Sequence, residues 1–450
     1  MKFELTKSYL EEFQLQLELE NSAFIKKEIE NLHPADIAEI VENISVNEGV
    51  QLFNLLEEDK AADTLIELDE DIRINILDQL STKEIAVQVD QLDSDDAADL
   101  LGELSEERKD EVISQMQDKD HASEVIDLLK YDEDSAGGLM QSEFVMVSAN
   151  FTVKRCVIEL RKQAEEVENI YTIYVVNEHD ELLGVLSLKR LLFAKPTTLI
   201  SELYNDKHIK YVKTHDDKED VSEMMQKYDL IALPVVDRQH KLVGRITIDD
   251  VVDVIQEEAE KDYQLASGIT DNVESTASVF KNTRSRLPWI LIGLLGGILS
   301  SLILQKYESE IRINPILAFF IPLITATGGN VGVQSSAIVV QGLASNDFQF
   351  KNVLRQILKE LLVGILIGAI CGITVFLFNH YSFGDSIMGI TIGLSIFVVV
   401  IIAAVFGTLF PLILDRVKID PALATGPFIT TTNDILGLSI YFLIAYVLYN

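Results

Sequence analysis

The chain changes character abruptly at Arg284. From there onward, nine Lys and Arg and eight Asp and Glu are spread over 167 strongly apolar residues, whereas the preceding stretch holds 28 bases and 64 acids, a formal charge of about −36. Five apolar stretches follow the change, roughly Leu287–Leu304, Pro315–Leu343, Val353–Phe378, Ile387–Leu414 and Pro421–Leu448, each long enough to cross a bilayer. One chain therefore joins a highly acidic water-soluble part to a multi-pass membrane part. The flanking charges orient it. With residues 1–286 inside, the inner segments near the spans carry Lys281, Arg284, Arg286, Lys351, Arg355, Lys359, Arg416 and Lys418, and the outer ones carry Lys306 and Arg312. That bias predicts a cytoplasmic N-terminus and an external C-terminus, in the plasma or inner membrane of a cell. Met1 to Glu20 is amphipathic and acidic, with no apolar core of a secretory signal.

A charge of this size repels nucleic acid and attracts counter-cations, although most of these acids would serve solubility equally well. Cys156 and Cys371 lie far apart and make no disulfide framework, and the seven histidines show no spacing suited to zinc. No phosphate-cradling loop, nucleophile elbow or metallohydrolase spacing occurs, so an enzyme or an ATP-driven pump is not expected.

Residues 1–130 predict an all-helical acidic domain, because Leu, Ile and Val recur at three- and four-residue intervals. Glu58-Asp-Lys-Ala-Ala-Asp-Thr-Leu-Ile-Glu-Leu68 echoes Ser94-Asp-Asp-Ala-Ala-Asp-Leu-Leu-Gly-Glu-Leu104 at an offset of 36, with a fainter form from His33. That period suggests helical hairpins stacked in a solenoid. From about residue 131 short β-branched runs alternate with helical patterns. Ile173–Gly184 and Leu233–Gly244 look alike, each a strand, a polar turn and the start of a second strand. The two copies, 131–200 and 201–255, resemble a tandem pair of α/β cystathionine-β-synthase (CBS) domains. Thr247 and Asp250 in the second copy fit that family's Thr-x-x-Asp ribose pattern, which implies a single adenine-nucleotide site, since the first copy has Ser187 but Arg190. A long charged linker helix is expected over 256–286, bending at most at Gly268, before the five-helix membrane domain of 287–450.

Within the spans, Asp434 stands out. A carboxylate in hydrocarbon costs at least ~2.5–3.5 kcal/mol, so it faces a wet path or pairs with another buried group, and no Lys or Arg lies mid-span to pair with it. Thr325–Ser336 (Thr-Ala-Thr-Gly-Gly-Asn-Val-Gly-Val-Gln-Ser-Ser) places hydroxyls, an amide and glycines shortly after Pro322, which would free backbone carbonyls. Such a segment suits oxygen ligation of a hydrated cation, while Gln334, Ser335 and Ser336 would equally serve as polar glue between helices. Mg2+ keeps several waters and takes few carboxylates, which fits one acid among hydroxyls and carbonyls. Gly364, Gly368 and Gly372, and Gly389 and Gly393, form small-residue stripes for close helix packing.

The domain order, with Gly328–Ser336 and Asp420–Pro427 through Asp434, resembles the MgtE family of magnesium channels and transporters along essentially the whole chain. The resemblance implies a homodimer in the lipid bilayer with Mg2+ as both permeant and regulatory ion. It implies an ion path at Asp434, Thr430, Asn330, Gly328 and Gly329, with Asp420 at the cytoplasmic mouth. It implies sensor acids at Asp95, Asp99, Asp217, Glu219, Asp229, Asp250, Asp253, Glu257 and Glu258, each of which taken alone is equally a solvated surface charge. Lys261 and Asp262 occupy the next turn, where the family also uses acids. The expected activity is a channel for magnesium uptake closed by cytosolic Mg2+, with adenine nucleotide as a tuning ligand. The alternatives are an ion-coupled secondary transporter of divalent cations and a non-conducting regulatory subunit.

Overall fold

The computed structural model describes residues 3–164, 167, 170–205, 209–270, 273, 278–344, 353–384, 386–424 and 426–449. Lys351 of the charge bias and Thr425 of the Asp420–Pro427 motif lie outside them. The chain divides into two compact units, Met1–Gln256 and Glu257–Asn450.

The first unit begins with ten short helices: α1 Lys7–Glu18, α2 Ser22–Ile29, α3 Pro34–Glu42, α4 Val46–Phe53, α5 Glu58–Ile66, α6 Glu70–Leu77, α7 Thr82–Val89, α8 Ser94–Gly102, α9 Glu106–Gln115 and α10 Lys119–Leu128. From α3 to α9 each helix starts twelve residues after the last. The expected 36-residue hairpin period is therefore three copies of a smaller unit, one helix and one tight turn. Two observations explain the step. An N-cap position falls every twelfth residue, and at three of them, His33 with Asp36, Ser45 with Glu48 and Ser81 with Glu84, a reciprocal capping box satisfies the first free N–H groups. Leu17, Ile29, Val41, Phe53, Leu65, Leu77, Val89, Leu101 and Val125 are all buried on the same twelve-residue spacing. Alternate helices then stack, α3 on α5, α5 on α7 and α7 on α9 in one row, α4 on α6 and α8 on α10 in the other.

Two three-stranded sheets follow. In the first, β1 (Val145–Ser148) runs parallel to β2 (Ile173–Val176), which pairs antiparallel with β3 (Leu182–Leu186); β4 (Val212–Lys213), β5 (Ala232–Val236) and β6 (Leu242–Thr247) repeat the pattern. The two hairpin turns are built alike. Asn177 and Asp237 each accept two backbone N–H bonds, and Asp180 and His240 take the left-handed conformation at the matching position. One continuous apolar core runs from Phe13 through the helical rows into Val221, Val235 and Ile246 of the second copy, so that copy is the one welded to the helical domain.

Helix α14 (Ile248–Ala266) is the long linker helix, and it does not run on to Arg286. Gly268 takes φ +80°, and Ile269 N–H returns to the Gln264 carbonyl, which closes the helix end. Helix resumes at Val279 and continues through Pro288 as α15 (Val279–Lys306). The expected helix over 271–272 and 274–277 lies outside the described residues. A short α16 (Glu308–Ile313) precedes α17 (Ile321–Ala344), α18 (Val353–Phe383), α19 (Ser386–Arg416) and α20 (Gly426–Tyr449). Helix α15, the segment Pro315–Leu343 and α18–α20 are long and apolar enough to cross a membrane, as expected. Pro322 sits in the first turn of α17, where the missing N–H costs little, so it does not free the carbonyls of the Thr325–Ser336 segment. The small-residue stripes close the α18–α19 contact: a Cβ at Gly372 would lie 2.7 Å from the Gly393 carbonyl, and one at Gly368 2.9 Å from that of Phe397.

Candidate cation sites

The first unit brings carboxylates together at the starts of two helices. Asp95 and Asp96 lie in the first turn of α8 and Asp250 in the first turn of α14, where helix dipoles favour negative charge. Asp95 is 6% exposed. Burial holds its carboxyl well above the ordinary value, and Asp250 and Asp96 add to the shift. Burial, then Asp250 and Asp93, pushes Asp96 up to about 7. Asp250 is pushed up to about 6 by burial, against the pull of the Thr247 hydroxyl, which donates to it at 2.6 Å. The charged groups that act most on Asp95 and Asp96 are themselves acids. Such a crowd is stable only when protonated or when a cation replaces the protons.

Asp99, exposed along one side, reaches about 7 through desolvation first and then Glu133, while Arg73 pulls it down. Asp95 accepts from Gln141 Nε2 at 3.2 Å, and Arg245 Nε donates to Gln141 Oε1 at 2.7 Å, so the acid is fixed by the first CBS copy through a residue that the second copy holds. The structure thus joins Asp95, Asp99 and Asp250, adds Asp96, and sets Asp253 one turn along α14, where it also raises Asp250. Asp217 caps α13 (Lys218–Tyr228), Glu219 lies in its first turn, and Asp229 ends it, all exposed, with Asp229 about 15–18 Å of helix from the other two. Asp253 and Glu257 are exposed on α14, with Asp253 raised by burial and Asp249. Thr247 and Asp250, the ribose pair, are bonded to each other through both the Thr247 hydroxyl and its N–H.

In the second unit, Glu258 pairs with Lys261 at 3.1 Å. Asp262 is raised by burial and then by Asp420, so the turn that carries Lys261 still presents an acid pair beside the membrane helices. Asp420 accepts from Ala422 N–H at 2.8 Å. A Cβ on Gly268 would meet Pro427 Cγ at 2.7 Å, which seats the end of the linker against the start of α20.

Thr430 and Asp434 share one face of α20 at i, i+4 spacing, Thr430 exposed and Asp434 half-buried. Among the described residues Asp434 has no ion pair, and Asn330 is exposed on α17. The glycines act differently from the expectation of flexible ligands. Gly328 and Gly329 are helical and buried; a Cβ on them would lie 2.9 Å from Val399 Cγ1 and 3.3 Å from Thr430 Cγ2. Gly332 admits the Asn433 side chain, which is 2% exposed with an Nδ2 lacking a partner among the described residues. The segment therefore carries α20 close to α17. Two further residues were not singled out from sequence. In the sequence Asn433 is one more polar residue after Thr430–Thr432, and Glu360, 3% exposed in α18 and accepting from Ser335 Oγ at 3.2 Å, stands beside Lys359 near the span's start. Ser335 is polar glue in this sense.

A membrane bundle with a half-buried mid-span carboxylate beside Thr430, on the same chain as a helical acidic domain and a CBS pair, has the make-up of a cation-transport protein with a water-soluble N-terminal part. Residues 321–444 match the MgtE family described as "Divalent cation transporter", 32–134 the "MgtE intracellular N domain", and 136–196 and 200–257 the CBS domain. The chain is 38% identical over 328 residues to the magnesium transporter MgtE of Thermus thermophilus, covering 72% of each. It is 37% identical over 322 residues to that of Enterococcus faecalis, covering 72% of this chain and 71% of the relative. Among solved structures it resembles the cytosolic domain of the Mg2+ channel MgtE in complex with ATP (35% identity, TM-score 0.51, 54% of this chain and 99% of that one). It also resembles the soluble part of a magnesium transporter (30%, TM-score 0.50, 56% and 99%). The chain belongs to the MgtE family of magnesium transporters: a multi-pass membrane protein with an intracellular N-terminal domain that transports Mg2+ and is not an enzyme.

Proposed function

We propose that this chain forms a homodimeric Mg2+ channel for uptake across the cell membrane, closed when cytosolic Mg2+ fills the acidic cluster. The observation that carries the reading is the crowd of Asp95, Asp96 and Asp250, desolvated and raised by one another's charge. Mg2+ stabilises whichever state binds more of it, and moving a gate from mostly open to mostly closed takes ~5.5 kcal/mol of differential binding. Several weak sites supply that together, with Asp217, Glu219, Asp229, Asp253, Glu257 and Glu258 as further contributors.

Helix α14 is the transmitting element. It carries Asp250 in its first turn and ends at Ala266, two residues before Gly268 meets Pro427 at the start of the helix that bears Thr430 and Asp434. The chain's own spans leave Thr430 and Asn330 exposed and Asp434 unpaired among the described residues, so a second copy and a file of water complete the path. Asp434 and the Thr430 carbonyl hold the hydrated ion there, Gly328 and Gly329 set the helix spacing, and Asp420 gathers ions at the inner mouth. Five spans put the C-terminus outside. A related cytosolic domain was solved with ATP; here Thr247 and Asp250 would take the ribose, and because Asp250 also belongs to the cluster, nucleotide and Mg2+ would be linked.

Single-channel recording with internal Mg2+ stepped from zero to 10 mM tests the reading. We expect opening at zero and closure at high Mg2+, with the midpoint moved several-fold upward in Asp95→Asn and Asp250→Asn. Opening that ignores internal Mg2+ would overturn it.

A further inference from the structure

We propose that His121, Glu124 and Glu143 form a separate metal site in the helical domain, selective for a first-row transition dication of the Co2+ or Zn2+ kind rather than for Mg2+. A ring nitrogen of His121 and one carboxylate oxygen each from Glu124 and Glu143 lie within 4.8 Å of one another. His121 and Glu124 sit one turn apart on α10, and Glu143 comes from the segment entering β1.

Partners outside the triad hold two of the three ligands in binding form. His121 Nε2 lies 3.2 Å from the Val89 carbonyl. A carbonyl only accepts, so Nε2 is the donor in this bond, which leaves Nδ1 as the nitrogen a neutral ring would offer to a metal, the arrangement in which an outer hydrogen bond fixes a metal-binding imidazole. Glu143 is held through both oxygens by Ser94, whose N–H donates at 3.2 Å and whose hydroxyl donates at 2.8 Å. A carboxylate has lone pairs to spare beyond these two bonds. Glu124 is exposed and His121 and Glu143 are partly exposed, so the site has an entry path and room for water ligands.

The donor set decides the metal. One imidazole with two carboxylates favours the later first-row dications, whereas Mg2+ prefers an all-oxygen shell and gives up its waters reluctantly. The site's position suggests its effect. Ser94 precedes Asp95, and Gln141, the amide that fixes Asp95, lies two residues before Glu143. An ion here would clip α10 to the segment that carries Gln141, beside the acidic cluster but through different ligands.

The test is titration of the purified full chain with Co2+ in 10 mM Mg2+, which fills the oxygen sites, read by the visible absorption of Co2+ bound through imidazole. We expect one Co2+ per chain, displaced by Zn2+, with affinity falling at least ~10-fold in His121→Gln and in Glu143→Gln. Zn2+ should also raise the melting midpoint of the wild type and leave that of His121→Gln unmoved. The exposed Glu124→Gln, which is not expected to disturb folding, should weaken Co2+ binding as well. Equal Co2+ affinity in wild type, His121→Gln and Glu143→Gln would overturn the proposal. Neither readout depends on Mg2+ closing the channel.

Discussion

The carboxylate of Asp95 accepts from the Gln141 amide at 3.2 Å, and Gln141 in turn accepts from buried Arg245, so the most desolvated acid of the soluble part is held by a neutral relay rather than by a cation. Its pKa and that of Asp96 lie above the ordinary 3.8, which means the folded state binds more protons than the unfolded one. Stability without Mg2+ should therefore fall as pH rises from about 4 through about 7, and Mg2+ should restore it at the high end. In thermal melts of the full chain, 10 mM Mg2+ is expected to raise the first midpoint more at pH 7.5 than at pH 5.5. Asp95→Asn should raise the Mg2+-free midpoint at pH 7.5 by ~2–4 °C, roughly a 1 kcal/mol gain, and shrink the Mg2+ response. A Mg2+ response larger at pH 5.5 would contradict this account.

Asp434 is the mid-span carboxylate of α20 on the face shared with Thr430. Reconstituted into liposomes, Asp434→Ala and Asp434→Asn should lose most Mg2+ uptake while keeping the fold and the dimer. Undiminished uptake in both would assign Asp434 a structural part and move the ion path to the Gly328–Ser336 segment.

Asn433 fills the space beside Gly332, and a Cβ at Gly407 would run into the Gly332 backbone. Gly332→Ala should cost ~1–3 kcal/mol by overpacking and push α20 away from α17. Detergent stability and Mg2+ uptake are both expected to drop, whereas Gly297→Ala, with open space around its Cβ, should leave both unchanged.

Gly268 takes φ +80° with Pro427 against it. Gly268→Ala adds both left-handed strain, ~1–2 kcal/mol, and a collision at the start of α20. The measurable consequence is a shifted midpoint for closure by internal Mg2+ at unchanged single-channel conductance. An unaltered midpoint would show that the linker's end does not bear on the gate.

Capping every twelfth residue is testable at Ser81, whose hydroxyl and Glu84 close a capping box on α7. Ser81→Ala should cost ~1 kcal/mol of the soluble part's stability. Channel activity at low Mg2+ should persist.

Much of this protein is legible along the chain because it rests on local chemistry. Hydrophobic length marks the five spans, with ends within eight residues of the helices, the paired strand-turn-strand runs mark the two CBS copies, and a carboxylate amid apolar residues singles out Asp434. The twelve-residue step was legible too, in the buried series from Leu17 to Val125, but the strongest echo, Ala-Ala-Asp at 61–63 and 97–99, recurs only every third helix and masks it. What the chain could not disclose belongs to contacts between distant segments. Asp95 and Gln141 are 46 positions apart, and Gln141 and Arg245 104. Which acids lose their water, Asp96 among them, is decided only when α8 and α14 start side by side. Asn433 reads as one more polar residue until Gly332 comes to lie over it, and His121 has no ligand spacing until folding brings Glu143 to α10. Desolvation and close approach are properties of packed pairs, so they appear only in the tertiary structure.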